Sequence, residues 1–379
     1  MPHYEVRPLE ILTMKEKLFS QFKEELSDIE IERALRDPHA KRSPRWCGIT
    51  VHVTVNCPFA CSYCYIENMG FRFSNPKPYP LSGKELAFAL LSNKTFLPGR
   101  TGSLIAIGSV SEPFIFQNKA LEYLEWLGRL GNPLQFSTKQ YISPSLAEKI
   151  AEISEKYGLS ISPLITIVTI TKADVLEKQA PPPDKRLDSI KNLRDAGLRP
   201  ILFLRPVIPG INVEEIPLII REAKKAGAYG VVVGGFRVTK TILERLENAG
   251  LDTLEIRRRL KKIDEKQRAV PFPEKKSIIE NIRKQDLVAW ASTCCANSWT
   301  AEVPCPSACF IDGPCTKCPN GCLYPYHVPS LEETVAALEK LGIRAIVRED
   351  TVYLPNRTAQ GIAFLVRTIS RRRVKIRRK

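Results

Sequence analysis

The chain is 379 residues long and carries 57 Lys and Arg against 41 Asp and Glu, a formal charge of +16. At 44% hydrophobic and 26% charged its composition excludes wholesale disorder, and its length exceeds what one core usually holds, so several domains are expected. Its apolar runs, such as 161–170, are broken by Ser, Pro and Thr and fall short of the ~20 residues that span a bilayer. Residues 1–5 show no basic-then-apolar leader, so the reading is a soluble, cytoplasmic chain without membrane association.

Leu9, Ile11, Leu12, Leu18, Phe19, Phe22 and Leu26 recur near helical spacing, predicting an N-terminal helical extension over 1–45 that ends in a basic loop, 41–45. Short apolar runs then occur at 49–55, 104–110, 134–137, 160–169, 200–207 and 230–234. Helical patterns at 83–92, 119–130, 145–157, 185–196, 213–226 and 240–249 lie between and after them. Six strands alternating with six helices predict parallel βαβ units over 46–250. The strands are apolar on both faces, which suits an open doubly wound sheet and a six-unit partial barrel alike. In either, chemistry belongs at the carboxyl ends of the strands. Residues 251–326 read as a charged helical linker followed by a Cys/Pro-rich segment with no hydrophobic period. Residues 327–379 read as a small basic α+β module: a helix over 331–341, a hairpin of 344–348 and 352–354, and a helix near 359–369.

The eleven cysteines are clustered. Dense cysteines in a large chain with no leader read as metal or cluster ligands rather than a disulfide framework. Cys57-Pro58-Phe59-Ala60-Cys61-Ser62-Tyr63-Cys64-Tyr65 follows the first predicted strand. Three thiolates within eight residues suit three irons of a [4Fe–4S] cluster, leaving the fourth iron for an exogenous ligand. A structural zinc loop is the alternative, but such a site takes four protein ligands, and the nearest candidate for the fourth is His52.

The CxxxCxxC spacing followed by the aromatic Tyr65 resembles the signature of radical S-adenosylmethionine (SAM) enzymes. The segments 105–113, 136–139, 180–187 and 205–212, in that order, resemble the spore photoproduct lyase-like branch, whose members are often labelled DNA repair photolyases. The resemblance implies a partial (β/α)6 barrel of TIM type, with a cluster on Cys57, Cys61 and Cys64 and SAM at the strands' carboxyl ends. It also implies Tyr65 flanking the adenine, the turn of Gly108, Ser109 and Glu112 against the methionyl amino group, and Thr138 and Lys139 meeting the ribose or carboxylate. Arg205 and Pro209-Gly210 fall on the substrate or SAM side, and an electron donor such as ferredoxin or flavodoxin is implied as partner. The lyase proper carries a cysteine near the second-strand turn that returns hydrogen to the product. Ser109 stands there in this chain, and no cysteine lies between Cys64 and Cys294.

Cys294, Cys295, Cys305, Cys309, Cys315, Cys318 and Cys322 place seven thiols in 29 residues, among stiffening prolines. They predict a second [4Fe–4S] cluster on four of the last five, or a zinc knuckle that includes His327. Cys47, beside Trp46, reads as a buried core cysteine. From 344 to 379 eleven Lys and Arg face two acidic residues, the electrostatic footprint expected of a nucleic-acid partner. The expected function is therefore a radical SAM enzyme that modifies RNA or DNA. Two alternatives stand beside it: a radical SAM enzyme acting on a protein or peptide, and a non-enzymatic, metal-stabilised nucleic-acid-binding protein. Oligomeric state has no sequence signal here.

Overall fold

The computed structural model describes residues 7–44, 48–303, 305 and 328–377. Two helices lead the chain, α1 (Pro8–Glu24) and α2 (Asp28–Arg36). Pro8 opens the first where no intrahelical donor is lost, and a Ser27/Glu30 capping box opens the second. That box splits what the periodicity alone presents as one helical stretch.

Strands and helices then alternate. β1 (Ile49–Val51) and β2 (Thr54–Val55) are followed by β3 (Lys77–Pro78), which pairs antiparallel with β2, and by α3 (Gly83–Ser92). Next come β4 (Ile105–Ile107), α4 (Gln117–Gly128), β5 (Leu134–Thr138), α5 (Pro144–Lys156) and β6 (Ile161–Thr166). The chain continues through a short α6 (Ala173–Leu176), α7 (Pro183–Asp195), β7 (Ile201–Val207), α8 (Ile216–Ala226) and β8 (Gly230–Gly235). After β8 lie β9 (Arg237–Val238), α9 (Lys240–Asn248), α10 (Leu254–Arg259), β10 (Arg268–Ala269), α11 (Lys275–Arg283), β11 (Val288–Trp290) and α12 (Thr293–Thr300). All six expected sheet strands are present, in a parallel sheet of order β1-β4-β5-β6-β7-β8-β11. The seventh, β11, pairs Val288 with Gly230 and Trp290 with Val232. It comes from the stretch read as linker, because three residues are too few to show a period.

The two sheet faces are covered differently, which decides between the two expected architectures. Ile105, Ile107, Leu134, Phe136, Leu202, Leu204 and Val231 turn outward, into one core shared with residues of the helices α3, α4, α5, α7 and α8. Side chains alternate along a strand, so their neighbours turn inward. Leu164, Ile201, Val232 and Trp290 pack there against Ala296 and Trp299 of α12. The Ser162 hydroxyl reaches Thr300 and, at 3.3 Å, Asn297. Helices on one face and a filled interior on the other make a partial barrel of TIM type rather than a doubly wound sheet. α12 fills the amino-terminal half of that interior, leaving the carboxyl ends open.

The chain's last part is a small α+β module of α13 (Leu331–Lys340), β12 (Ile346–Val347), β13 (Thr351–Leu354), α14 (Gln360–Ser370) and β14 (Arg373–Ile376). Its sheet runs β12-β13-β14, with β14 parallel to β13. Ala337, Leu365 and Ile369 dock it onto Ile11, Leu12 and Leu97. The terminal basic run is not all solvated. Arg371 and Arg372 are only 2% and 6% exposed. Arg371 donates to the Cys305 carbonyl at 2.7 Å, and Arg372 to the Glu349 carbonyl and the Thr334 hydroxyl, both at 2.9 Å. No helix among the described residues is long and apolar enough to cross a membrane.

Candidate active site: a cysteine loop at the open end of the barrel

The loop leaving β2 carries Cys57, Cys61 and Cys64. Asn56 and Ala60 turn it through the left-handed region, at φ 69° and 45°. Asn adopts that conformation at little strain, whereas for Ala it is uncommon and must be held by surrounding bonds. Those bonds come from distant parts of the chain. The Cys57 amide donates to Arg72 O at 3.0 Å, and Ser62 donates from its amide and hydroxyl to Leu176 O and Val175 O at 2.9 and 3.0 Å. From α9, Arg245 donates to Cys64 O at 2.5 Å and pairs with Glu67 at 3.2 Å. The Tyr63 hydroxyl donates to the buried Glu177 carboxylate, which forms a 2.6 Å ion pair with the fully buried Arg186. Arg186 also donates to Thr166 O and Pro181 O, tying the loop to the end of β6.

The three thiols share one apolar cluster with Phe59, Tyr63 and Tyr65. Burial pushes the Cys57 and Cys61 thiols up to about 12 and raises Cys64 as well. Thiolates here therefore need a strong positive partner, and coordinated iron is one. A second positive charge stands nearby. The Lys139 ammonium is 3.8 Å from Glu177 and 5.5 Å from the centre of the Tyr63 ring. Burial would lower its pKa, but Cys61 and Glu177 outweigh that and hold it above the usual value. Among the described residues no three His, Cys, Asp or Glu side chains are placed as they stand to hold a metal ion. Three thiols spread along a loop fit a polynuclear cluster, in which each iron takes its own thiolate. His52 is buried against the rings of His39, Phe71 and Tyr79, with Arg42 at 3.2 Å from its Nε2.

The neighbouring turns are built on buried polar groups. Glu112 accepts from the Thr138 hydroxyl at 2.5 Å, the Lys139 amide at 2.9 Å and the Phe114 amide at 3.3 Å. Burial raises its pKa against those bonds. Glu112 and Thr138, both expected at SAM, thus bond to each other and tie the turn after β4 to the end of β5. Gly108 sits at φ 82°, where a Cβ would lie 2.6 Å from Ser137 O and 2.8 Å from Pro113 Cδ. Its carbonyl accepts from the Ser137 hydroxyl at 3.0 Å. Ser109 is exposed, and Tyr65 is half-buried beside the cysteines.

In the second cysteine block, Cys294 and Cys305 are buried with Leu104, and Cys295 packs against them. Cys309, Cys315, Cys318, Cys322, His327 and Cys47 lie outside the described residues. Tyr63, Glu177, Arg186 and Arg245 are the site residues that sequence reasoning did not find. Glu177 lies 114 residues from Tyr63, so no spacing connects them.

Residues 51–223 match the model of the Radical SAM superfamily. An uncharacterised protein of Acidianus two-tailed virus, ORF301, is 23% identical over 199 residues, 48% of this chain and 64% of its own length. An uncharacterised protein of Mycobacterium tuberculosis is 24% identical over 211 residues, 52% of this chain and 62% of its own. The match therefore spans less than two thirds of either relative. A GTP 3′,8-cyclase of Marinobacter nauticus is 28% identical over 181 residues, 47% of this chain and 50% of its own. Among solved structures, a cysteine-to-serine mutant of spore photoproduct lyase superposes with a TM-score of 0.50 at 16% identity, covering 64% of this chain and 74% of that one. That likeness is one of fold.

Proposed function

We propose, from the radical SAM enzyme domain that residues 51–223 form, that this chain reductively cleaves SAM and uses the resulting radical on a nucleic acid, RNA or DNA. The observation that carries the reading is the loop of three thiols at the open end of the barrel, Cys61 buried and Cys57 and Cys64 half-buried, with Lys139 beside it. Cys57, Cys61 and Cys64 would hold a [4Fe–4S] cluster. When bound, the cluster supplies the electron that cleaves SAM to the 5′-deoxyadenosyl radical, which takes hydrogen from substrate. The chain's own residues orient and enclose. Tyr63, Glu177, Arg186 and Arg245 fix the loop, Lys139 offers a charge-assisted contact to a carboxylate, and α12 closes the far end of the interior to water. Gly108, Glu112 and Thr138 shape the turns that would face SAM, and Tyr65 and Ser109 line their approaches. The reductant would come from a ferredoxin or flavodoxin.

The nucleic-acid reading is supported by the exposed Arg373 and Lys375 on β14 and Arg377 just after it, and the GTP in the name of the bacterial cyclase points the same way. A second cluster or zinc ion in the block from Cys294 to Cys322 belongs to the same proposal. The test is iron and acid-labile sulfide per chain after anaerobic reconstitution, with 5′-deoxyadenosine release, in wild type and in Cys57→Ala/Cys61→Ala/Cys64→Ala. About eight irons falling to about four means two clusters; about four falling to none, with zinc retained, means one cluster and a zinc scaffold. A triple variant that keeps all its iron refutes the reading. Binding to duplex DNA and tRNA should weaken steeply with salt, and a flat response would favour a protein or peptide substrate.

A further inference from the structure

We infer that Arg205 is an anion-binding residue of the barrel interior, laid across a glycine shelf to receive a phosphate group of the substrate. The inference rests on the radical SAM reading in one respect, that substrate enters at this end of the barrel. Ile201 and Phe203 of β7 belong to the inward-facing cluster with Val232 and Trp290. The register of β7 shifts between Leu204 and Val207, so the facing of Arg205 is set by its contact with the regular strand β8, where Val232 faces the interior and Gly234, two residues on, shares its face. Across from it stands β8, where Leu204 pairs with Val233 and Gly234 comes next. A Cβ on Gly234 would lie 2.5 Å from Arg205 Cδ and 2.6 Å from its Cγ. The arginine stem therefore rests on bare backbone, in space that only glycine leaves. The backbone of Gly234 is not in the left-handed region, so the missing side chain serves the arginine rather than the turn.

Arg205 is half-buried, and its guanidinium has no ion-pair or hydrogen-bond partner among the described residues. Other arginines set into the fold are engaged: Arg186 with Glu177, Arg245 with Cys64 O and Glu67, Arg372 with Glu349 O and Thr334. A planar group with five donors, fixed by its stem at the carboxyl end of the barrel and without a partner among the described residues, is suited to bidentate binding of a phosphate.

The test uses the reconstituted full chain with SAM present and measures equilibrium binding of thymidine 5′-monophosphate and of thymidine. Arg205→Gln should weaken the monophosphate by about 10- to 100-fold and leave thymidine and SAM binding unchanged. Arg205→Lys should fall between, since it keeps the charge and loses the fork. Gly234→Ala, which keeps the arginine but displaces its stem, should weaken the monophosphate as well, and far-UV circular dichroism and iron content report that each variant is folded. Equal monophosphate binding by wild type and Arg205→Gln overturns the inference, as does no binding by wild type. Loss of SAM affinity instead would assign the anion to the SAM carboxylate and also overturn it. No readout here needs turnover, so failure to cleave SAM would refute the radical SAM reading separately.

Discussion

Replacing Arg186 by methionine should destabilise the barrel by about 3–5 kcal/mol, the usual result of removing one partner from a buried ion pair. The side chain is fully buried, its Nη1 lies 2.6 Å from Glu177 Oε2, and it serves the carbonyls of Thr166 at 3.0 Å and Pro181 at 2.8 Å. After substitution Glu177 keeps the Tyr63 hydroxyl and the more distant Lys139 at 3.8 Å, so its charge is only partly compensated. Two carbonyls also lose a donor, each worth about 1 kcal/mol if left dry. Because Tyr63 lies between Cys61 and Cys64, the loop should loosen with it, and reconstituted iron should fall. Urea denaturation followed by circular dichroism reads the stability, and iron content reads the loop. The double variant Glu177→Gln/Arg186→Met removes the stranded charge while keeping an acceptor for Tyr63, and should recover about 2 kcal/mol of the loss. A single variant within 0.5 kcal/mol of wild type, on the order of an ordinary surface change, would refute the argument. A double variant no more stable than the single would show that lost packing, not stranded charge, was responsible.

Gly108→Ala combines a φ of 82° with a 2.6 Å approach to Ser137 O, and should lower stability by at least about 2 kcal/mol and abolish SAM cleavage; an unchanged melting temperature would contradict this. Burial, with His39 and Arg42 adding to it against Asp37, holds His52 neutral down to about 3. Between the ordinary histidine pKa of about 6.5 and that value the unfolded chain binds a proton that the folded one refuses, so stability falls as pH drops through this window. The loss from His52 should reach about 2 kcal/mol at pH 5 relative to pH 7, and His52→Gln should flatten the slope in urea titrations across that range. Arg372→Met should expose the C-terminal module to limited proteolysis, since it strips donors from Glu349 O and Thr334. Lys375→Ala/Arg377→Ala, on the exposed edge, should leave proteolysis unchanged and reduce the salt dependence of nucleic-acid binding by about two phosphates' worth.

What the sequence determines by itself here is local. Three cysteines within eight residues read as a loop for cluster ligands because ligand spacing on one short segment survives any fold, and six apolar runs separated by helical patterns name a parallel sheet. The choice of barrel over open sheet needed the tertiary structure, because apolar strands look alike whether helices or α12 cover the second face. The same holds for β11, three residues whose place beside β8 comes from pairing across more than fifty positions. Glu112 and Thr138 read as groups for SAM, and the fold bonds them to each other; Arg371 and Arg372 read as part of a charged tail, and the fold draws them inside to carbonyls. Charge and residue type are written in the sequence, but which charges lose their water is decided only when distant segments meet. Glu177 illustrates it: an ordinary acid on a short helical turn until Tyr63, Lys139 and Arg186 converge on it and make it the anchor of the cysteine loop.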